Sequence, residues 1–542
     1  MKNFTLTVID TTGIQDYIFG SNVLKHNVGA SALVHFATND WACEKLVKLG
    51  ETNVDKKCKF KERTIDGDCL ASELVYAGGG NTVILFEDYE KAIEFTKGLT
   101  QKVLHEAPGL QLVVAHTDVD WDKKDDLPKK VQRTIAKVNE KKTNRVLSSP
   151  VLGLGVTADC QFTGLPAVKE YKEDGRRIRI SAEVKAKLYA FDRAHKRLTD
   201  LLQLEGYCIP KMFDDLGRTK GESSYIAIVH TDGNGMGKRI QKIAKDYPEN
   251  RDYINAIRSF SEGAKDAAND ALVSTIKKTI DSILPRDLDG REAVGGAIEI
   301  KKDEEGNKIL PIRPIVFGGD DATFVCDGRL GLTLAEFYLR QLTSPSRKLV
   351  DGDPLFARAG VAVVKSHYPF ARAYALAEEL AASSKKFIKE KNTESKLSAI
   401  DWHFAVSGLV LGLDEIRKRD YHTKQGYLTM RPLILGQKIG PEWRTWNTFT
   451  KIISELRETV SEVDDAQKSE EQWSQNKLKA LRMVLREGPE SVMQFLNGNT
   501  PDKVPLIPGN LDSEKRGWIA DRCTCFDAIE AMDFHVPLKE GA

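Results

Sequence analysis

The sequence predicts an α+β fold with two ferredoxin-like domains in tandem, followed by a helical C-terminal region. Three observations carry this expectation. An order of strand, helix, hairpin, helix and strand occurs twice along the chain. In both copies the first strand ends at or near an aspartate, Asp10 and Asp232. In both, the hairpin turns on glycines, Gly78-Gly79-Gly80-Asn81 and Gly318-Gly319-Asp320-Asp321. The 542 residues exceed what one compact core accommodates. The expected divisions are a first copy over 1–150, a connector over 151–220, a second copy over 221–435 and the helical region over 436–542.

In the first copy, Phe4 to Ile9 (FTLTVI) alternates and is β-rich. Ala30, Leu33, Val34 and Ala37 then recur at helical spacing. Glu73 to Phe86 forms two short strands around the glycines, Glu87 to Leu104 a helix, and Leu110 to Ala115 a strand. In the second copy, Tyr225 to Val229 is the first strand, and a long helix runs from about Tyr253 to Ile283. Pro314 to Val325 is the hairpin, Leu332 to Leu342 a helix, Ala357 to Val364 a strand and Phe370 to Lys386 an amphipathic helix. Each copy thus has the split βαβ topology of polymerase and cyclase palms. Phe449 to Val460 and Asn476 to Leu496 are the clearest helices of the last region. The lysine-dense stretch Lys123 to Arg145 reads first as a solvated helix face and second as a phosphate-binding patch.

Apolar residues make up 41% of the chain and charged residues 29%, a soluble, globular profile. A net charge of +1 gives no global pull toward nucleic acid, so such contact must be a local patch. The eight cysteines fit neither a disulfide scaffold nor a zinc template: Cys523 and Cys525 are one residue apart, and the other six stand alone. Reduced thiols in a cytosolic protein are therefore expected. The N-terminus lacks a signal-peptide run and no stretch approaches a membrane span, so the expected compartment is the cytoplasm.

Chemistry concentrates at the second hairpin. Adjacent carboxylates repel unless a cation sits between them, and hard divalent cations take oxygen ligands. Asp320 and Asp321, with Asp232 leaving its strand beside them, form an expected site for two Mg²⁺ or Mn²⁺ ions. In this role the three aspartates are both catalytic and metal-ligating. Gly318 and Gly319 permit a tight turn and a close backbone approach. Gly233, Asn234, Gly235, Gly237 and Lys238 follow the strand and open a helix, a seat for a triphosphate. Lys238 and Lys385 or Lys386 are candidates for phosphate contact, with solvated surface lysines as the alternative. The first hairpin lacks paired acids and should not hold two metals. It either contacts nucleotide, through Gln15 or Ser31, or serves structure only. His367 and Tyr368 are expected at the boundary of the core, and Arg431 in a local salt bridge.

Four segments share a wider pattern: IDTTGIQDYIFGSNVLKHNVGAS from Ile9, HTDGNGMGKRI from His230, FGGDDATFVC from Phe317 and ARAGVAVVKSHYPFARAYALAEELAASSKK from Ala357. In these the chain resembles the large polymerase/cyclase subunit of type III CRISPR effector complexes, over roughly residues 1–435. The resemblance implies synthesis of cyclic oligoadenylate from ATP as an antiviral second messenger. It carries the metal ligands over to Asp232, Asp320 and Asp321. It also implies partners: a nucleoside triphosphate, with ATP favoured, and other defence proteins or RNA. Two features depart from the family. None of the ten histidines precedes an aspartate, so the His-Asp nuclease pair is missing, and only Cys160 stands where the family often has a zinc cluster. The expectation is a shorter, stand-alone relative without the nuclease domain.

Overall fold

Strand Asn3–Thr12 lies at the heart of the first sheet because both its faces are apolar or threonine, with Leu6, Thr7 and Ile9 fully buried. In the computed structural model the sheet order is Ser72–Gly78, Asn81–Phe86, Asn3–Thr12 and Gln111–Asp120, every neighbouring pair antiparallel. The described residues are 2–539 without 145–154, 174, 217–223, 286–290, 345, 392–395, 406–411, 437–441, 459–472 and 500. The expected divisions at 150/151 and 220/221 lie outside them, as do Arg145 and Val460.

The second sheet runs Ile312–Val316, Ala322–Asp327, Tyr225–Gly233, Ala357–Lys365, Ser398–Ala405 and Leu433–Leu435. Its first four strands repeat the order and antiparallel pairing of the first sheet. The last two extend the edge, Ser398–Ala405 in parallel and Leu433–Leu435 antiparallel. Helices cover the sheets by periodic burial. Tyr89–Glu106, capped by Asp88, buries Ala92, Phe95, Leu99 and Val103, one stripe at helical spacing. In the connector, Ser181 caps the helix Ala182–Leu202, which packs across Leu24–His35. A Cβ on Gly29 would lie 1.8 Å from the Lys187 carbonyl oxygen, so only glycine lets these helices meet.

Three expectations need correction. Residues 476–496 are not one helix but two, Gln475–Val484 and Pro489–Asn497. Gly488 takes a φ of 110° and Pro489 starts the second helix, where its missing N–H costs nothing. The C-terminal region is also not purely helical. Trp518–Ile519 and Arg522–Cys523 join His422–Thr423 and Gly426–Tyr427 in a small sheet. Finally, Cys43 and Cys58 do not stand alone. The chain after the helix Trp41–Leu49 folds back on it, bringing their Cα atoms to 5.5 Å in a disulfide. The other six cysteines are free thiols. Among the described residues no helix is long and apolar enough to cross a membrane.

Candidate active site between the two hairpins

The register of the second sheet brings the acidic residues together. Thr231 pairs with Ala322 across antiparallel strands, which sets Asp232 beside Asp321 at the strand ends. On the other side Asp232 pairs with Arg358. Gly318 holds a φ of 89° at the tip, a backbone state that favours glycine. Asp320 then folds back over Gly233, where an added Cβ would lie 2.9 Å from the Asp320 Cβ. The first sheet has the same register: Asp10 pairs with Asn81, so Gly78 to Asn81 occupy the places of Gly318 to Asp321. The two tips meet, with the Gly79 backbone 3.9 Å from the place a Gly319 Cβ would take.

A cavity of about 580 Å³ opens beside these tips, lined by Gln15, Asp16 and Lys142 from the first copy and Asp232, Asp321 and Lys385 from the second. Burial, then the neighbouring Asp320 charge, pushes the Asp321 carboxyl up to about 7, against the pull of the Gly233 N–H and Lys385. Burial also raises Asp320. Asp321 is exposed to cavity water, which screens part of this push. Arg358 is buried, and burial lowers its guanidinium to about 10. It forms an ion pair with Asp232 and donates to the Gly233 carbonyl at 3.1 Å and to Asn234 Oδ1 at 2.8 Å.

Among the described residues no three His, Cys, Asp or Glu side chains converge as a metal-binding group does. The Asp232 carboxylate is instead paired with Arg358. The three carboxylates are oxygen donors of the kind hard divalent ions take, and burial raises two of them, Asp320 and Asp321.

The remaining sequence candidates divide. Lys385 lines the cavity, its ammonium lowered first by Arg358 and then by burial. Lys386, one residue on, lines a separate groove beside Arg417 and Tyr427. Asn234 braces its loop, its N–H bonded to the Phe356 carbonyl at 2.7 Å and its Nδ2 to that of Leu397 at 2.8 Å. Gly235 takes the left-handed cap of the helix Met236–Asp246, and Gly237 and Lys238 are exposed on it, outside both cavities at the tips. Gln15 lines the larger cavity and donates to Glu378 at 2.6 Å, while Ser31 lines a smaller one. His367 is exposed and Tyr368 half-buried. Arg431 is fully buried between Asp527 and Glu530, a structural ion pair. In the lysine-dense helix Asp126–Thr143, Lys142 reaches Asp10 at 2.6 Å.

No family model and no curated protein matches the chain. Solved structures do match. A Csm1–Csm4 cassette in complex with AMPPNP aligns at TM-score 0.53 and 14% identity, covering 99% of this chain and 70% of that one. The cassette in complex with cA4 aligns at 0.51 and 12%, covering 98% and 69%. The Csm1–Csm4 subcomplex of the type III-A CRISPR-Csm interference complex aligns at 0.53 and 12%, covering 98% and 69%. The chain has the Csm1 fold. Within that fold, two cavity residues went unnoticed in the sequence. Arg358 had a signal, a lone charge inside the apolar strand ARAGVAVV, which only the register with Asp232 makes meaningful. Lys142 had only a shared one, as one of many lysines in the stretch Lys123 to Arg145 that reads second as a phosphate-binding patch.

Proposed function

We propose that this chain is a metal-dependent nucleotidyltransferase that joins nucleoside triphosphates into a cyclic oligonucleotide and releases pyrophosphate. Cyclic oligoadenylate from ATP, in antiviral defence, is the favoured product. The observation that carries this is the meeting of two glycine-turn hairpins over one cavity, with acids at only one tip. We read each hairpin as part of a ferredoxin-like palm. Solved Csm1 structures with AMPPNP and with cA4 support nucleotide binding by this fold. The proposed compartment is the cytoplasm, and a Csm4-like subunit is a proposed partner.

In this reading Asp232, Asp320 and Asp321 hold two Mg²⁺ or Mn²⁺ ions. Such ions lower the pKa of an attacking 3′-hydroxyl and neutralise the leaving pyrophosphate. To hold the ions Asp321 would present its carboxylate and Arg358 would have to release Asp232. Lys385 lies beside Asp321, placed to receive phosphate oxygens. No residue needs to act as general base. The hydroxyl gives its proton to solvent as its oxygen bonds the α-phosphorus, and pyrophosphate leaves with the electron pair of the broken P–O bond.

One observation favours a rival, a catalytically silent nucleotide- or RNA-binding scaffold: Arg358 satisfies Asp232 without any metal. Incubating the pure chain with each labelled triphosphate and Mn²⁺, with products identified by mass, separates the two. Cyclic or linear oligomers support the enzyme, and unchanged triphosphate supports the scaffold.

A further inference from the structure

The bond between Cys43 and Cys58 joins an enclosed residue to one that solvent reaches. Cys43 lies in the helix Trp41–Leu49 with no exposure. Cys58 is half-buried near the tip of a small hairpin, 53–61, and lines a cavity of about 500 Å³ together with Lys57, Asn39 and Asp40. The segment is basic, with Lys56, Lys57, Lys59 and Lys61 all exposed against two acids, Asp55 and Glu62. Asp55 serves the turn itself: its Oδ1 accepts the backbone N–H groups of Lys57 and Lys59 at 2.7 and 2.9 Å. A thiolate entering the cavity therefore meets an accessible sulfur in a cationic setting, which favours thiol–disulfide exchange.

The hairpin has bonds of its own. Lys61 donates to the Asn53 carbonyl at 2.7 Å, Asp55 to that of Lys59 at 3.0 Å and Cys58 to that of Asp55 at 3.0 Å. What the disulfide adds is a tie from this hairpin to the helix Trp41–Leu49. Cys58 holds a φ of 58°, a state that costs a residue with a Cβ, and the tie helps to keep it there. The Cys58 Sγ also lies 3.2 Å from the Asn39 carbonyl oxygen, so a freed thiol has its acceptor in place. Both oxidation states are thus accommodated. On the other side, the Arg258 guanidinium lies 4.5 Å from the Phe60 ring centroid, and Arg251 pairs with Asp66. Both arginines belong to the long helix Asn250–Asp281 of the second copy. The tied segment therefore touches both copies.

We propose that Cys43 and Cys58 form a site of reversible thiol–disulfide exchange, opened by a small-molecule thiol such as glutathione attacking at Cys58. One glutathione thiolate bonds the Cys58 sulfur, and the Cys43 sulfur leaves with the electron pair of the broken S–S bond and takes up a proton. A second glutathione thiolate attacks the glutathione sulfur of the mixed disulfide, and Cys58 leaves as a thiolate that is then protonated. The protein gains two electrons and two protons, and two glutathione molecules lose them to become glutathione disulfide. Excess glutathione disulfide runs the exchange backward. Opening the bond unties the hairpin from the first copy while its contacts with the long helix remain. None of this needs metal, nucleotide or turnover, so it stands apart from the nucleotidyltransferase reading.

The test treats the folded full chain with glutathione, quenches with acid, alkylates in denaturant and maps the cysteines by mass. The Cys43–Cys58 link should open at a rate proportional to glutathione concentration and return under glutathione disulfide. On opening, amide hydrogen exchange over 53–61 should rise at least tenfold while the strand Asn81–Phe86 keeps its protection. Under glutathione disulfide, Cys43→Ser should take up glutathione at Cys58 at least tenfold faster than Cys58→Ser takes it up at Cys43. A link that opens only as fast as the chain unfolds, whatever the glutathione concentration, overturns the proposal. So does a link from either cysteine to the exposed Cys69, unchanged exchange over 53–61, or faster modification of Cys43 than of Cys58. If the serine variants fail to fold, the rate law and the exchange of the wild-type chain decide alone.

Discussion

Asp232 and Arg358 sit opposite each other on neighbouring strands of the second sheet and form an ion pair, with the guanidinium buried and the carboxylate one-third exposed. The same guanidinium bonds the loop at Gly233 and Asn234. Arg358→Gln should therefore destabilise the metal-free protein by about 1–3 kcal/mol, the cost of leaving buried polar partners unmet. It should also strengthen Mn²⁺ binding, because a competing cation is gone. Urea unfolding and Mn²⁺ titration measure the two effects, and an unchanged midpoint with unchanged affinity refutes the assigned role.

Asp320→Ala with Asp321→Ala should abolish turnover and keep the fold. Removing two neighbouring acids, both raised by burial, should leave metal-free stability equal or slightly higher. Product formation by the double variant, or its unfolding without metal, contradicts the assignment.

The first hairpin is open to a separate test. Gly79 has a φ of 60°, and a Cβ there would lie 3.9 Å from Asp320 Oδ1. Gly79→Val adds backbone strain and bulk at the meeting of the tips. Oligomer formation should fall more than tenfold while binding of a single nucleotide changes less than threefold. Unaltered product would leave the first copy as scaffold only.

Stability should fall on mild acidification. Burial lowers His26 and His535 to about 4 and His403 to about 3, each further lowered by nearby cations. Their folded pKa values lie below the unfolded value near 6.5, so the unfolded chain binds more protons in that window. Stability is full above about pH 6.5 and is lost as pH falls toward 4. Each group contributes up to about 1.4 kcal/mol per pH unit. Chemical unfolding at pH 7, 6 and 5 reads the slope, and a flat profile contradicts it.

The paired hairpins were legible because their signal is local: glycines, acids and flanking β-branched runs appear in order, twice. Asp232 was legible because a repeat predicts its place. Arg358, Lys142 and the Cys43–Cys58 pair were not, since each acquires its meaning from a partner on a different element, Asp232, Asp10 or the refolded loop. Strand register and loop closure decide those meetings, and neither has a periodicity. The break at Gly488-Pro489 was written plainly in the sequence and was outweighed by the apolar spacing on either side of it.

Arg431 is fully enclosed, and its counter-charges arrive from almost a hundred residues later: Asp527 and Glu530. Asp527 also accepts the N–H groups of Met430 and Arg431 at 2.8 and 2.9 Å. Removing the tail would strand a guanidinium in the interior and leave two backbone donors without acceptors, far costlier than trimming a free end. The segment that carries Asp527 and Glu530 is therefore expected to unfold together with the segment that carries Arg431. A protease that nicks between them should release neither piece until both unfold.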